Sequence, residues 1–180
     1  MVIHDGVTSI GAYAFVSCSG FTGDLIIPDS VTFIGERAFF NCTGFTGTLM
    51  LSKGITEVME DTFSNCSGFT GLVIPEGVSR IKNSAFFRCS SMTKLEIPSS
   101  VTVIEDRAFY ECKGFTGDLV IPDTVTSIGA EAFYMCSGFD GSLTLSNKTI
   151  PIGKNAFAWC SGFTELIIPE GVTSIGESVF

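Results

Sequence analysis

The sequence predicts a β-solenoid, in which short repeats stack on one another through parallel strands. Three observations predict it. A unit of 23 or 24 residues recurs along the whole chain of 180 residues, its apolar residues keep fixed positions, and one cysteine falls in each unit. A period of this length is typical of stacked arrays, in which each unit covers the apolar face of its neighbour.

The repeat is clearest from Ile27 to Met50, IPDSVTFIGERAFFNCTGFTGTLM. Its consensus is I-P-x-x-V-T-x-I-x-x-x-A-F-x-x-C-x-G-F-T-(G)-x-L-x. Units begin near residues 3, 27, 51, 74, 97, 121, 145 and 168, which predicts one domain, 1–180, of about 7.5 repeats. The chain opens at a strand and stops within a unit, without polar capping repeats. We therefore expect a fragment of a longer protein, or ends that stack on another copy.

Composition favours a large buried core and argues against several functions. Hydrophobic residues make up 45% of the chain and charged residues 16%, which favours folding over disorder. The formal net charge of −9 provides no basic surface for nucleic acid. The segment from Met1 to Gly6 does not open a signal peptide, and no apolar run approaches the roughly 18 residues of a membrane span.

Two columns of phenylalanine are predicted to form the core. They take up 14 of the 17 phenylalanines, and burial of each contributes about 1.5–3 kcal/mol relative to exposure. The first column is Phe15, Phe39, Phe63, Phe86, Phe109, Phe133, Phe157 and Phe180. The second column is Phe21, Phe45, Phe69, Met92, Phe115, Phe139 and Phe163.

The L-x-I segments are the predicted strands. Because side chains alternate along a strand, Leu25 and Ile27 should point inward and Ile26 outward. Stacked units would place these strands in one parallel sheet, spaced by about 4.8 Å. The V-T-x-I segment should return on the other side, and A-F-x-x-C-x-G should form a tight turn or one 3₁₀ turn, with little α-helix. An extra glycine before some strands is interpreted as a bulge; it occurs at Gly23, Gly47, Gly117 and Gly141.

These units resemble the BspA-like leucine-rich repeats, whose pattern is L-x-x-I-x-I-P-x-x-V-x-x-I-G-x-x-A-F-x-x-C. The likeness covers essentially the whole chain, although phenylalanine stands where leucine is usual. It implies a right-handed leucine-rich-repeat solenoid with a parallel sheet on one face. It also implies a surface or secreted binding protein, since several members of the family act as adhesins. Extracellular or cell-surface localisation is thus an expectation from the resemblance.

The sequence predicts no catalytic, metal or cofactor site. The only histidine, His4, takes the place that proline fills in other units, so a strand-end substitution is favoured over a catalytic role. One cysteine per unit gives a line, whereas zinc needs four converging ligands. Buried free thiols are favoured over disulfides between adjacent units or a metal; the cysteines are Cys18, Cys42, Cys66, Cys89, Cys112, Cys136 and Cys160.

Three N-x-S/T sequons also occur, at Asn41-Cys42-Thr43, Asn65-Cys66-Ser67 and Asn147-Lys148-Thr149. The first two fall inside the repeat, so coincidence is the favoured explanation.

The outward residues of the predicted sheet form the first candidate binding surface. The central row is mostly apolar: Ile26, Met50, Val73, Glu96, Val120, Thr144 and Ile167. The preceding row is mostly polar: Asp24, Thr48, Gly71, Lys94, Asp118, Ser142 and Glu165. An apolar stripe with a polar rim is typical of an interaction site, so we expect a protein or glycan partner centred on Val73, Glu96 and Val120. Strand propensity alone is the alternative explanation.

A second, aromatic candidate lies on the turn-rich side. It consists of Phe40, Phe87, Tyr110, Tyr134 and Trp159, which either cover neighbouring turns or bind carbohydrate or a partner. Together the two surfaces predict an adhesin-like recognition module. A structural scaffold that spaces or assembles other domains is the alternative hypothesis, and an enzyme is not favoured.

Overall fold

Twelve short β-strands and no helix make up the computed structural model, which describes residues 1–180. All strand pairs are parallel. The strands are β1 (Ser9–Ile10), β2 (Leu25–Ile26), β3 (Phe33–Ile34), β4 (Thr48–Met50), β5 (Glu57–Val58), β6 (Gly71–Val73), β7 (Arg80–Ile81), β8 (Val103–Ile104), β9 (Leu119–Val120), β10 (Ser127–Ile128), β11 (Ser142–Thr144) and β12 (Glu165–Ile167). The predicted solenoid is therefore confirmed.

The strands lie on two sides of the stack. The sheet face comprises β2-β4-β6 and β9-β11-β12, formed by the L-x-I segments. The return face comprises β1-β3 and β5-β7-β8-β10, formed by the V-T-x-I segments. Equivalent positions are in register on the sheet face, where Leu25 pairs with Leu49 and Leu49 with Leu72. Units of 23 or 24 residues thus become rungs of one stack.

The prediction of a single continuous sheet was wrong at one rung. Residues 94–97 form no strand, and their backbone groups take part in no backbone hydrogen bond, although the neighbouring Thr93 N–H still donates to Thr70 O. The two outward residues of this segment, Lys94 and Glu96, are charged, and such residues are depleted in strands. The rung therefore divides the sheet face into two three-stranded sheets.

A third ladder of hydrogen bonds joins the turns of successive repeats. We call the side of the stack that these turns form the turn side. In each of the first six turns three alternate N–H groups donate to carbonyls of the next repeat, and in the seventh turn two do so. In one rung the pairs are Arg107 to Ala130 at 2.9 Å, Phe109 to Ala132 at 2.8 Å and Glu111 to Tyr134 at 2.8 Å. Arg107 and Glu111 have φ values of +54° and +53°, so the segment is a series of turns and not the single 3₁₀ turn offered as one of the predictions.

The core is one continuous cluster of 44 buried residues built around the two phenylalanine columns. Phe39, Phe63 and Phe86 are fully buried, and their ring centroids stack at 5.4 and 5.7 Å. In the second column Phe45 and Phe69 stack at 5.0 Å. The predicted columns are confirmed, except that Phe180 at the end of the first column stacks on Phe157 but is 48% exposed. The division into one domain of about 7.5 repeats within a longer protein stays a prediction.

Glycine is required where the backbones of adjacent repeats approach each other most closely. A Cβ built on Gly44 would collide with Ser19 O and lie 2.6 Å from Phe21 O, and one built on Gly138 would collide with Lys113 O. Among the four bulge glycines, Gly23 and Gly117 have φ values of +75° and +78°, a region that only glycine enters without strain.

All seven cysteines are free, and five of them are buried. Each of the six cysteines after the first donates its thiol to the main-chain carbonyl of a phenylalanine in the preceding repeat, as in Cys89 Sγ to Phe63 O at 3.1 Å. Cysteine therefore fills its column as a small apolar residue that also satisfies a carbonyl.

The buried thiols predict a loss of stability in alkali. Burial raises the pKa of Cys89 from the ordinary value of 9.0 to about 12. The unfolded chain releases this proton first, so the stabilising contribution is complete below about pH 9 and is lost as the pH rises towards 12. We expect the urea midpoint to fall between about pH 8 and about pH 10, and to fall less in Cys89→Ala. Equal pH dependence of the two proteins would contradict the assignment.

Candidate functional site

The predicted apolar row lies on the outside of the sheet face. Ile26, Val73 and Val120 are 54%, 49% and 56% exposed, whereas Leu25 and Leu119 of the same strands are buried. Met50 and Thr144 are half-buried within the row, and Ile167 at its end is exposed. Because β2, β4 and β6 are in register, Ile26, Met50 and Val73 are neighbours. The structure thus brings the apolar members together on each half of the face.

Two aspartates of the polar row beside them accept hydrogen bonds from the main chain of the next strand. Asp24 Oδ1 accepts the Thr48 N–H at 2.7 Å, and Asp118 Oδ1 accepts the Ser142 N–H at 2.6 Å. The second bond lowers the pKa of the Asp118 carboxyl. Both aspartates therefore stabilise the start of the next strand. Glu165 is exposed in the last strand, β12.

Between the two halves of the sheet face the surface is charged. Lys94 Nζ and Glu96 Oε1 lie 2.6 Å apart, and their side chains are more than three-quarters exposed. An exposed pair of this kind contributes little to stability. It interrupts the apolar row between Val73 and Val120, so a partner that crosses the face would meet two apolar patches separated by an ion pair.

The aromatic candidates divide into two groups. Phe87, Tyr110 and Tyr134 are half-buried and stack at 4.8 and 5.0 Å, and burial raises the pKa of the Tyr110 hydroxyl. Phe40 is separated from this stack by the rung of Ser64, and the Arg37 guanidinium lies 5.9 Å from its ring centroid. The rings of Phe87, Tyr110 and Tyr134 therefore cover part of one another's faces. Trp159, by contrast, is 68% exposed.

A polar cavity of about 390 Å³ on the turn side was not predicted from the sequence. Eight polar side chains on four successive rungs line it: Asn41, Thr43, Asn65, Ser67, Arg88, Ser90, Glu111 and Lys113. The only signal in the sequence was the pair of sequons that begin at Asn41 and Asn65. The first and third residues of each sequon face this cavity. The residue type at each of these two positions changes from one rung to the next, so the sequence shows no repeated residue that would mark the cavity.

Two further cavities lie at the ends of the stack and are mostly apolar. One of about 570 Å³ is lined by residues that include Ile3, Phe15 and Phe21, and one of about 300 Å³ by residues that include Phe163 and Phe180. His4 is exposed at the first, and its carbonyl accepts the Val7 N–H just as Pro28 O accepts the Val31 N–H. The histidine therefore takes the structural place of proline.

No three histidine, cysteine, aspartate or glutamate side chains are grouped so that they could hold a metal ion. The structure also has no helix with the length and hydropathy needed to cross a bilayer.

Comparison with known proteins assigns the family. The profile of the BspA type leucine rich repeat region matches residues 1–116 and 115–180 and occurs in six copies. The chain belongs to the BspA-type leucine-rich repeat family. This family is a repeat scaffold and not an enzyme type, and leucine-rich repeat domains generally mediate protein interactions.

Solved structures of other leucine-rich repeat proteins share the fold of this BspA-type chain. A protein from Bacteroides ovatus is 24% identical over 99% of the chain, with a TM-score of 0.79. The T. pallidum leucine-rich repeat protein is 26% identical over 93% of the chain and 67% of its own length, with a TM-score of 0.58. A protein from Eubacterium ventriosum is 28% identical over 73% of the chain and 35% of its own length, with a TM-score of 0.64.

The BspA-type chain spans 56% of the length of the Bacteroides ovatus protein. No match was found among the curated proteins.

Proposed function

We propose that this BspA-type domain is a recognition module of a surface or secreted protein, adhesin-like in character, which binds a protein partner through the sheet face. The observation that carries the proposal is the exposed, in-register apolar row at Ile26, Met50 and Val73, continued by Val120 on the second half of the face. Apolar surface that is rimmed by polar groups is typical of protein interfaces.

The arrangement of charges fits a protein partner. Asp24 and Asp118 flank the apolar row with carboxylates that hydrogen bonds to the next strand hold in place. Fixed carboxylates beside apolar patches favour a partner with apolar side chains between basic groups, because complementary charges orient the encounter. The surface or secreted location rests on the family alone.

Charge substitution on the sheet face tests the proposal. Val73→Lys and Val120→Lys place an ammonium group in the proposed interface, and we expect each to weaken binding about tenfold or more, since burial of an unpaired charge is costly. Binding would be measured by surface plasmon resonance against immobilised fibronectin, collagen and laminin. Phe33→Lys is the matched control, because Phe33 is 48% exposed on the return face.

Unchanged affinity of Val73→Lys and Val120→Lys for a matrix protein that the unmodified domain binds would refute this site. Equal losses in all three variants would also refute it, since the return face would then matter as much as the sheet face.

The scaffold alternative has a separate supporting observation. Both ends of the stack present apolar cavities, which another copy or further repeats could cover. Light scattering that shows a monomer at high concentration would count against stacking of copies.

A further inference from the structure

The polar cavity of the turn side differs from the other large cavities of the molecule because none of its eight lining residues is apolar. Sites for cofactors and drug-like ligands are mostly apolar, with a few polar groups. A protein hot spot would likewise need an aromatic or aliphatic anchor and a pocket to receive it. The cavity therefore suits a ligand that hydrogen-bonds along its whole length.

One end of the cavity offers neutral groups with free hydrogen-bonding capacity. The hydroxyls of Thr43, Ser67 and Ser90 make no hydrogen bond within the protein, whereas half of the other surface threonines donate to a carbonyl of an adjacent rung, as Thr70 does to Thr46 O. The Asn41 and Asn65 amides each use one donor, on Ser17 Oγ at 3.1 Å and Ser64 Oγ at 3.4 Å. Hydroxyls and amides can each donate and accept, which is what a polyhydroxylated ligand requires.

At the other end of the cavity, two cationic side chains form ion pairs with one carboxylate. Arg88 Nη2 lies 3.3 Å from Glu111 Oε1, and Lys113 Nζ lies 3.1 Å from Glu111 Oε2. Burial alone would raise the pKa of the Glu111 carboxyl, but its bonds to Lys113 and Arg88 outweigh burial and lower it. Glu111 neutralises one of the two cations, and most N–H donors of both stay free. This end therefore has a local charge of about +1 on a chain whose net charge is −9.

We propose that the polar cavity binds an oligosaccharide that carries a carboxylate, with the acidic sugar at Arg88 and Lys113 and the neutral sugars along Ser67, Asn65 and Thr43. Charge-assisted hydrogen bonds from both cations would fix the carboxylate. The neighbouring ring of Phe87, which lies 5.0 Å from the Arg88 guanidinium carbon, holds that side chain in position. The site lies on the turn side, so it is independent of the sheet-face interface.

Binding of 3′-sialyllactose, compared with lactose, tests the proposal by isothermal titration calorimetry on the whole chain. The two sugars share a neutral core, so a carboxylate site should bind sialyllactose about tenfold more tightly or more, because hydrogen bonds to a charged group are stronger than those between neutral groups. Arg88→Gln and Lys113→Gln should each remove most of this preference. Thr43→Val, which keeps the shape of the side chain, should weaken binding of both sugars.

Lys53→Gln is the matched control, because Lys53 is an exposed cation that pairs with Asp29 away from the cavity, and its substitution should leave binding within about twofold. Two variants, Arg88→Gln and Lys113→Gln, keep the test valid if one of them does not fold, as judged by circular dichroism. Absence of saturable binding, equal affinity for the two sugars, or insensitivity to both substitutions would overturn the proposal. Tighter binding of a hexaglutamate peptide, with the same dependence on Arg88 and Lys113, would also overturn it in favour of an acidic peptide.

Discussion

Gly138→Ala is expected to lower the free energy of unfolding by about 3 kcal/mol or more, the range of severe overpacking and strain. A Cβ at this position would collide with Lys113 O and lie 2.7 Å from Phe115 O. Both obstacles are main-chain atoms of the preceding rung, so no side-chain rotation relieves them and the two rungs must separate. Urea unfolding followed by circular dichroism would measure the change.

Gly20→Ala is the matched control for this substitution. Gly20 holds the same position in the first repeat, where a Cβ would meet no atom within 4 Å, so we expect a change within about 0.5 kcal/mol. Similar stabilities of the two variants would show that the close approach of the backbones does not limit the spacing of the rungs.

Phe109→Ala should cost about 3–5 kcal/mol, the range found for removal of a buried phenylalanine ring. The Phe109 ring is fully buried and stacks on Phe86 at 5.3 Å and Phe133 at 5.2 Å. It also meets Phe115 of the second column edge-on, with centroids 6.1 Å apart. Its loss would leave a cavity in the middle of the stack, and thermal unfolding should show a lower midpoint.

Phe33→Ala is the comparison for the core substitution. Phe33 is 48% exposed in β3 on the return face, so its replacement should cost no more than about 1 kcal/mol. If the two alanine variants unfolded alike, the phenylalanine column would not be the main source of stability.

The sequence was most informative where a position repeats the same residue type. Phe39, Phe63 and Phe86 recur at one position of the unit, so their common environment could be predicted before the structure was known. Alternation along Leu25, Ile26 and Ile27 likewise predicted which side chains face outward. In both cases burial depends on the side chain itself, and the sequence records side chains directly.

The sequence was least informative where the backbone or a variable position decides the structure. The turn-side ladder uses main-chain groups of residues as different as Arg107 and Glu111, so no side-chain pattern marks it. The interruption of the sheet at Lys94 and Glu96 occurs in one repeat only, so the consensus of all repeats does not reveal it. The polar cavity combines asparagine, arginine and glutamate in one column, and its chemistry becomes visible only when the rungs are stacked.

The ladder of the turn side also gives the solenoid an electrical direction. From the first repeat to the last, its N–H groups donate to the following rung and its carbonyls accept from the preceding one. Each peptide carries a dipole of about 3.5 D, and here the dipoles add along the axis, whereas those of the sheets largely cancel. The two termini of the stack are therefore not equivalent, because the later repeats carry the positive pole and favour negative charge.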